Sequence, residues 1–267
     1  MRKSSYFCSR KNGTTQVELH LPRTKKNILF INMNNIFAFG DSIMKGIIMS
    51  TSQIGDGMVK YRISDHGFVN RVGTSSGISI RNLSRFGSTI LGGLNNIDRH
   101  LREIHPGDRV VLEFGGNDCN FDWKAISDNP MAVHKPEVSL SQFHDLYVKL
   151  IEKVRSVGAI PVLLSLPALL PQRFFDFVSK GLNKDNILKW LGGDVSYISN
   201  WHEQYNLEIF KLAAQYNVQV IDISTVFLER RALGDYYCED GMHPNEAGHE
   251  LIAETILSLG LLPMASC

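Results

Sequence analysis

A serine at the end of the first regular apolar run has the surroundings of a nucleophile. Residues 36–39 (Ile-Phe-Ala-Phe) predict a buried parallel strand, which ends in Gly40-Asp41-Ser42. The glycine permits a sharp turn, and a helix that begins there would offer backbone N–H groups beside the serine hydroxyl. Ser42 is therefore a candidate catalytic residue, although Asp41 and Ser42 can also act only as a helix cap.

An aspartate and a histidine lie close together near the other end of the chain, in residues 240–243 (Asp-Gly-Met-His). They follow the last predicted strand and precede Pro244, a residue type favoured at the start of a helix. On one turn, the carboxylate can hold the imidazole in a single tautomer and stabilise its cation. Asp240 and His243 are therefore candidates for the orienting acid and the general base.

Two further strand ends carry groups that can donate hydrogen bonds to a developing oxyanion. Residues 115–118 (Gly-Gly-Asn-Asp) follow a predicted strand, and the Asn117 amide is a neutral donor. Gly87 follows another predicted strand and can present its backbone N–H to the same place. A plain turn is the alternative interpretation of residues 115–118.

The spacing of apolar residues predicts the elements that bring these groups together. Strand-like runs alternate with helix-like periodicities along most of the chain. The predicted strands are residues 36–39, 78–83, 109–114, 159–166 and 218–223. This alternation indicates βαβ units and a parallel sheet covered on both faces. Ligands bind at the carboxyl ends of strands in such sheets, which is where the candidate residues lie.

Taken together, the four segments resemble the four sequence blocks of the SGNH (GDSL) hydrolase family. The resemblance spans residues 36–259 and rests on the blocks occurring in this order on these elements. The matching positions are Gly40-Asp41-Ser42, Gly87, Gly115-Gly116-Asn117-Asp118 and Asp240-Gly241-Met242-His243. One position departs from the pattern, since Ile43 stands where the family often has leucine, but its apolar character is kept.

The resemblance implies a flavodoxin-like, three-layer α/β/α fold with a five-stranded parallel sheet. It also implies that Ser42 is the nucleophile, that His243 is general base and then acid, and that Asp240 orients His243. The implied oxyanion hole consists of the Ser42 and Gly87 backbone N–H groups and the Asn117 side chain. Neither a cofactor nor a metal is needed for this chemistry.

The domain organisation is predicted as one hydrolase domain over residues 34–267. Residues 1–33 form an irregular N-terminal extension, for which disorder is one interpretation. Insertions are expected at about 120–140 and 167–202, and loops of this length are functional or carry helices of their own. Aromatic residues of the second insertion either line an acyl pocket or pack on the domain as a separate apolar face. They are Phe174, Phe175, Phe177 and Trp190, with Leu191 beside them.

Composition and charge exclude several classes of function. With 28 basic and 27 acidic side chains, the chain has no electrostatic footprint for nucleic acid or an anionic membrane. No stretch approaches the roughly 18–20 apolar residues of a membrane helix, and no secretory leader is evident, so we expect a cytoplasmic protein. The four cysteines are widely spaced, which favours free thiols, although Cys119 and Cys238 both adjoin the candidate site.

We therefore predict a serine esterase that acts on a small-molecule or carbohydrate ester, with short acyl groups such as acetyl favoured. An acyltransferase, a lysophospholipase or a thioesterase could use the same triad. The rival from another class is a non-catalytic flavodoxin-like module, with residues 40–46 holding a phosphate. That rival lacks a glycine-rich phosphate loop and leaves Asp240 and His243 without a role.

Overall fold

The secondary structure alternates between strands and helices over most of the chain. The computed structural model describes residues 6–11, 14–19, 35–49 and 61–260, and all structural statements concern these ranges. The strands are β1 (Tyr6–Lys11), β2 (Thr14–Leu19), β3 (Ile36–Gly40), β4 (Ile47–Met49), β5 (Tyr61–Ile63), β6 (Ile80–Asn82), β7 (Arg109–Glu113), β8 (Ile160–Leu164) and β9 (Gln219–Ile221). The helices are α1 (Ser42–Lys45), α2 (Phe68–Ser76), α3 (Ile90–His100), α4 (Trp123–Asp128), α5 (Leu140–Ser156), α6 (Pro171–Val178), α7 (Lys184–Trp190), α8 (Ser196–Tyr216), α9 (Ser224–Leu228) and α10 (Glu246–Ser258).

Five of the strands form one parallel sheet, in the order β6-β3-β7-β8-β9. All five residues of β3 are buried, as is required of a central strand covered on both faces. Counted along the chain, this is the 2-1-3-4-5 order of flavodoxin-like folds. Ligands bind such sheets where the strand order reverses, which places the expected site between the ends of β3 and β7.

Helices cover both faces of the sheet. On one face α3, α5 and α8 enclose a core that contains Phe39 and Tyr147, both fully buried. On the other face α2, α9 and α10 pack around Met44, Phe68 and Ile252. The three-layer α/β/α fold with a five-stranded parallel sheet, implied by the family resemblance, is therefore confirmed.

The last helix begins two residues later than its proline suggests. The Asn245 side chain accepts a hydrogen bond from the Gly248 N–H at 3.0 Å, so Asn245 is the N-cap of α10. Pro244 instead forms an isolated bridge with Tyr237. This bridge and cap fix the turn that carries His243 immediately before the helix.

Both predicted insertions contain short helices. Helix α4 lies within residues 120–140, and α6, α7 and the first turns of α8 lie within 167–202. Their apolar side chains form a third cluster, separate from the two layers beside the sheet and rich in aromatic residues. The insertions therefore form a small, aromatic-rich unit of their own on the domain.

Two antiparallel strand pairs lie outside the main sheet, β1 with β2 and β4 with β5. The first pair falls within the predicted extension, residues 1–33, most of which lies outside the described ranges; the division into extension and domain stays a prediction. The second pair was not predicted from the sequence. Of the helices described, none combines the length and the apolarity needed to cross a bilayer.

Candidate active site

Ser42 is the first residue of α1 and directly follows the turn at the end of β3. Asp41 caps the helix, since its Oδ1 accepts a hydrogen bond from the Ile43 N–H at 2.8 Å. A Cβ atom at position 40 would lie 2.6 Å from the Met44 Cβ and 2.9 Å from the Glu113 carbonyl oxygen, so only glycine fits there. The tight turn predicted from Gly-Asp-Ser therefore exists for a steric reason.

The Asp240–His243 turn joins the serine through continuous hydrogen bonds. Asp240 Oδ1 accepts from the backbone N–H groups of Met242 and His243, at 3.0 and 2.9 Å. Asp240 Oδ2 lies 2.7 Å from His243 Nδ1, and His243 Nε2 lies 2.8 Å from Ser42 Oγ. Three residues predicted from two distant motifs are thus brought together in one buried line.

The hydrogen bonds to Asp240 decide its charge. Burial by itself raises the pKa of a carboxyl, but the bonds from the His243 ring and from two backbone N–H groups hold the pKa of Asp240 below its ordinary value. The ionised carboxylate favours a proton on His243 Nδ1. His243 Nε2 is then the acceptor that faces the Ser42 hydroxyl.

Sequence reasoning missed an aromatic cover over this pair. The Tyr61 hydroxyl donates to Asp240 Oδ2 at 3.0 Å, and its ring centroid lies 5.1 Å from that of His243. Phe86 stacks nearly parallel to the imidazole at 6.2 Å. Burial and the nearby Asp240 charge raise the pKa of Tyr61, so its hydroxyl stays protonated and can donate. No local motif marks Tyr61, which lies 179 residues from Asp240 in the chain.

The predicted oxyanion-hole residues border the same strand ends. The Asn117 amide donates to Asp41 Oδ2 at 2.9 Å and to the Ser88 carbonyl oxygen at 3.2 Å. Gly87 has a φ of 69°, a left-handed conformation that favours glycine. Its segment is attached to β3, since the Arg85 N–H donates to the Gly40 carbonyl oxygen at 3.0 Å. Asn117 therefore connects the turn that follows β7 with the turns that carry Ser42 and Gly87.

Asp41, Glu113 and Asp118 are three buried carboxyl groups close to this site, and of these Glu113 lies outside every motif identified in the sequence. The Asp41 N–H donates to Glu113 Oε2 at 3.3 Å. Burial and the neighbouring Asp41 raise the pKa of Glu113 well above its ordinary value. Asp118 Oδ1 accepts from the Ile90 N–H at 2.9 Å, and burial raises the pKa of Asp118 to about 7.

A narrow apolar pocket opens beside the triad. Its lining includes Ile43, Gly116 and Met242, the immediate neighbours of Ser42, Asn117 and His243. Its volume is about 30 Å³, and its walls are rich in aromatic residues. The aromatic members are Phe121, Trp123, Phe174, Trp190, Tyr197 and Trp201.

Both insertions build the pocket. Phe174, Trp190 and Leu191 line it, as one of the two sequence interpretations held. Phe175 packs within the aromatic cluster without lining the pocket, and Phe177 lies under the Lys180 ammonium, 5.3 Å from the ring centroid. Both interpretations therefore apply to different members of the same segment.

The described residues include two buried cysteines close to the site. Cys119 and Cys238 are both free thiols, so they do not form a disulfide with each other. Burial raises the pKa of Cys238 to about 11. No group of three or more His, Cys, Asp or Glu side chains in this part of the chain is arranged to hold a metal ion.

This combination of fold and site defines a hydrolase of the SGNH type, and comparison with known proteins agrees. Residues 36–256 match the family described as GDSL-like Lipase/Acylhydrolase, so the chain belongs to that family. The predicted class of enzyme, a carboxylic ester hydrolase, is thereby confirmed at the level of the family.

One curated relative is an uncharacterized esterase, YxiM, of Bacillus subtilis (strain 168). It is 26% identical over 228 residues, which cover 84% of this chain. The chain spans about half the length of that relative, since the match covers 50% of it.

Solved structures share the fold. A lipase/acylhydrolase from Enterococcus faecalis superposes with a TM-score of 0.62 at 18% identity, covering 88% of this chain and 100% of that one. A member of the lipolytic G-D-S-L family from Veillonella parvula DSM 2008 gives a TM-score of 0.57 at 20% identity, covering 84% and 97%. At such identities the likeness concerns the fold alone.

Proposed function

We propose that this chain is a serine esterase in which Ser42 is the nucleophile, His243 the general base and acid, and Asp240 the residue that orients His243. The observation that carries the proposal is the hydrogen-bonded line from Ser42 Oγ through both imidazole nitrogens to Asp240, with steps of 2.8 and 2.7 Å. A nucleophile bonded to a base that a third group orients is the recurring arrangement for acyl transfer.

The geometry gives each proton a defined route. Ser42 Oγ attacks the ester carbonyl carbon while its proton passes to His243 Nε2, and Asp240 stabilises the imidazolium. The tetrahedral intermediate breaks its bond to the alcohol oxygen, and His243 returns the proton to that oxygen. Water then attacks the acyl-enzyme with His243 again as base, which releases the acid and restores Ser42.

We assign the oxyanion hole to the Ser42 and Gly87 backbone N–H groups and the Asn117 amide. The first N–H groups of a helix have no hydrogen-bond partner within the helix, so the Ser42 N–H can donate to a bound group. The Asn117 amide already donates to Asp41 and, with a longer bond, to the Ser88 carbonyl oxygen. The oxyanion would take the place of the Ser88 carbonyl oxygen, while Asp41 continues to orient the amide.

The pocket beside the triad favours short acyl groups. It is apolar and narrow, and it ends among aromatic rings, so it suits the acyl part of an ester while the alcohol leaves on the open side. A volume of about 30 Å³ accommodates two to three atoms of the size of water, at roughly 10–15 Å³ each. A pocket of this size favours acetyl and propionyl groups over long acyl chains.

The test is hydrolysis of p-nitrophenyl esters from acetate to decanoate by the wild type and by Ser42→Ala. We expect the wild type to prefer the shortest esters and the variant to lose turnover by a factor of about 10⁵. Ser84→Ala is a matched control, because Ser84 is a buried serine whose hydroxyl has no partner among the described residues. Equal activity of Ser42→Ala and the wild type would overturn the proposal.

A further inference from the structure

The pocket contains one imidazole, that of His202, without a hydrogen-bond partner among the described residues. His202 lies on α8, is only 6% exposed, and lines the pocket together with the aromatic rings. It forms no hydrogen bond with any other residue in the described part of the chain. Two other histidines are paired with carboxylates: His144 Nδ1 lies 2.7 Å from Glu208 Oε1, and His100 Nδ1 lies 2.8 Å from Glu103 Oε1.

His202 lines the pocket without a hydrogen-bond partner among the described residues, so its ring nitrogens are available to a molecule that enters the pocket. The pocket that His202 lines lies next to the nucleophile, which makes a substrate atom the natural partner. Burial also lowers the pKa of His202 to about 4, so the ring is neutral at neutral pH.

The chemistry of the lining narrows the class of that partner. A neutral imidazole has one N–H donor and one acceptor nitrogen. A hydroxyl group matches both, since it also donates and accepts. No Lys, Arg, Asp or Glu lines the pocket, so a carboxylate or ammonium on the acyl group would be buried without a counter-charge.

We propose that His202 is a specificity-determining residue that hydrogen-bonds a hydroxyl on the acyl group, and that the preferred substrates are esters of short hydroxy acids. This rests on the proposed esterase function and adds the class of acid to it. The pocket volume of about 30 Å³ limits the group to hydroxyacetyl or hydroxypropionyl size. The aromatic walls contact the carbon atoms, and His202 supplies the polar contact.

The test uses pairs of esters that differ only by hydroxyl in place of methyl. Aryl hydroxyacetate is compared with aryl propionate, and aryl 3-hydroxypropionate with aryl butyrate. The kcat/KM ratio of each pair is divided by the ratio of their rates of alkaline hydrolysis, which removes differences in chemical reactivity. We expect at least one pair to show a wild-type preference of about tenfold for the hydroxy acid, the usual effect of one hydrogen bond.

Two variants test whether that preference depends on His202. His202→Phe removes the donor and the acceptor but keeps a ring, so the preference should disappear while propionate hydrolysis continues. His202→Gln keeps both functions on a flexible chain and should retain part of the preference. Continued cleavage of propionate also shows that each variant is folded.

The outcomes separate this inference from the function on which it rests. The wild type could cleave propionate and show no preference for hydroxy acids after division by the alkaline-hydrolysis ratio. That result would overturn the role of His202 and leave the esterase assignment in place. An equal preference in the wild type and His202→Phe would do the same. Silence of the wild type on every ester, matching Ser42→Ala, would instead contradict the proposed function.

Discussion

The two halves of the site are held by different forces. In the reacting half, Ser42, His243, Asp240 and Tyr61 are joined by hydrogen bonds of 2.7–3.0 Å. In the pocket, Phe121 and its aromatic neighbours meet through ring contacts, with centroids 4.8–6.1 Å apart. Hydrogen bonds weaken steeply when their geometry changes, whereas ring packing tolerates several arrangements.

This difference separates chemistry from selectivity. A change in the hydrogen-bonded half should lower turnover for every substrate, because it disturbs groups that act in the transition state. A change among the rings should alter which acyl groups are accepted and leave the reacting groups in place. Four substitutions, taken from the largest expected effect to the smallest, can break or sharpen this division.

The largest effect is expected from Asn117→Ala. The variant removes the proposed side-chain donor of the oxyanion hole and should lower kcat by about 10²–10³ for all acyl chain lengths. Steady-state kinetics on p-nitrophenyl acetate and butyrate measure it. A loss of less than tenfold, or a loss confined to one chain length, would contradict the assignment.

The next effect is expected from Trp190→Ala, in the aromatic half. The ring centroid of Trp190 lies 4.8 Å from that of Phe121 and 6.2 Å from that of Trp123. Removing the indole should therefore lengthen the pocket. We expect kcat/KM for hexanoate and octanoate esters to rise by about tenfold, while kcat for acetate changes less than threefold. Trp190→Phe, which keeps a ring, is the matched control. A uniform loss at every chain length would show that the two halves are not independent.

A smaller effect is expected from Tyr61→Phe, which removes one donor from Asp240 and keeps the ring. The Asp240 carboxylate should then attract the imidazolium more strongly, so the acid limb of the kcat/KM profile should move to higher pH. We expect kcat to fall by less than tenfold.

Phe86→Leu serves as the control for Tyr61→Phe, because Phe86 packs on the same ring without a hydrogen bond to Asp240. It should leave the acid limb of the pH profile unmoved. An unshifted profile in Tyr61→Phe would mean that Tyr61 only packs against His243.

The smallest effect concerns stability. Asp118 has a native-state pKa of about 7 against an ordinary value of 3.8, so the folded chain binds its proton more tightly than the unfolded chain does. Its contribution to stability is therefore fully present below about pH 4 and is lost as the pH rises to about 7. Asp118→Asn should reduce the fall in unfolding free energy between pH 5 and pH 8 by on the order of 1–3 kcal/mol. Urea unfolding at pH 5 and at pH 8 measures the two free energies. A difference between them that is the same in the variant and the wild type would contradict the prediction.

Most of the fold could be predicted because each strand of the parallel sheet is marked by a local sequence pattern. Each parallel strand is a short apolar run, and residues such as Phe39 and Leu112 have to be buried wherever the strand lies. The long helices α5 and α8 likewise follow from periodicity. The pair β4–β5 could not be predicted in this way, because the two short strands are defined by their pairing with each other and not by a local pattern of apolar residues.

The residues of the candidate site also fall into those that a local motif marks and those that only tertiary contacts bring into place. Ser42, Asp240 and His243 lie in compact motifs at strand ends, so their assembly followed from topology. Tyr61 and His202 have no motif around them, and their positions depend on tertiary contacts between distant segments. In the sequence Glu113 looks like an ordinary strand residue, and only its complete burial beside Asp41 explains why its pKa is raised.

The bond between His243 and Ser42 joins positions 201 residues apart, which has a consequence for the order of events during folding. Contacts of such sequence separation form late, because a long stretch of chain must be ordered before they can close. We therefore expect Ser42, the proposed nucleophile, to gain its partner His243 late in folding, once the turn before α10 is in place. A phosphonate that labels Ser42 would count only molecules in which the whole domain has been completed, whereas circular dichroism would also register chains that have formed helices alone.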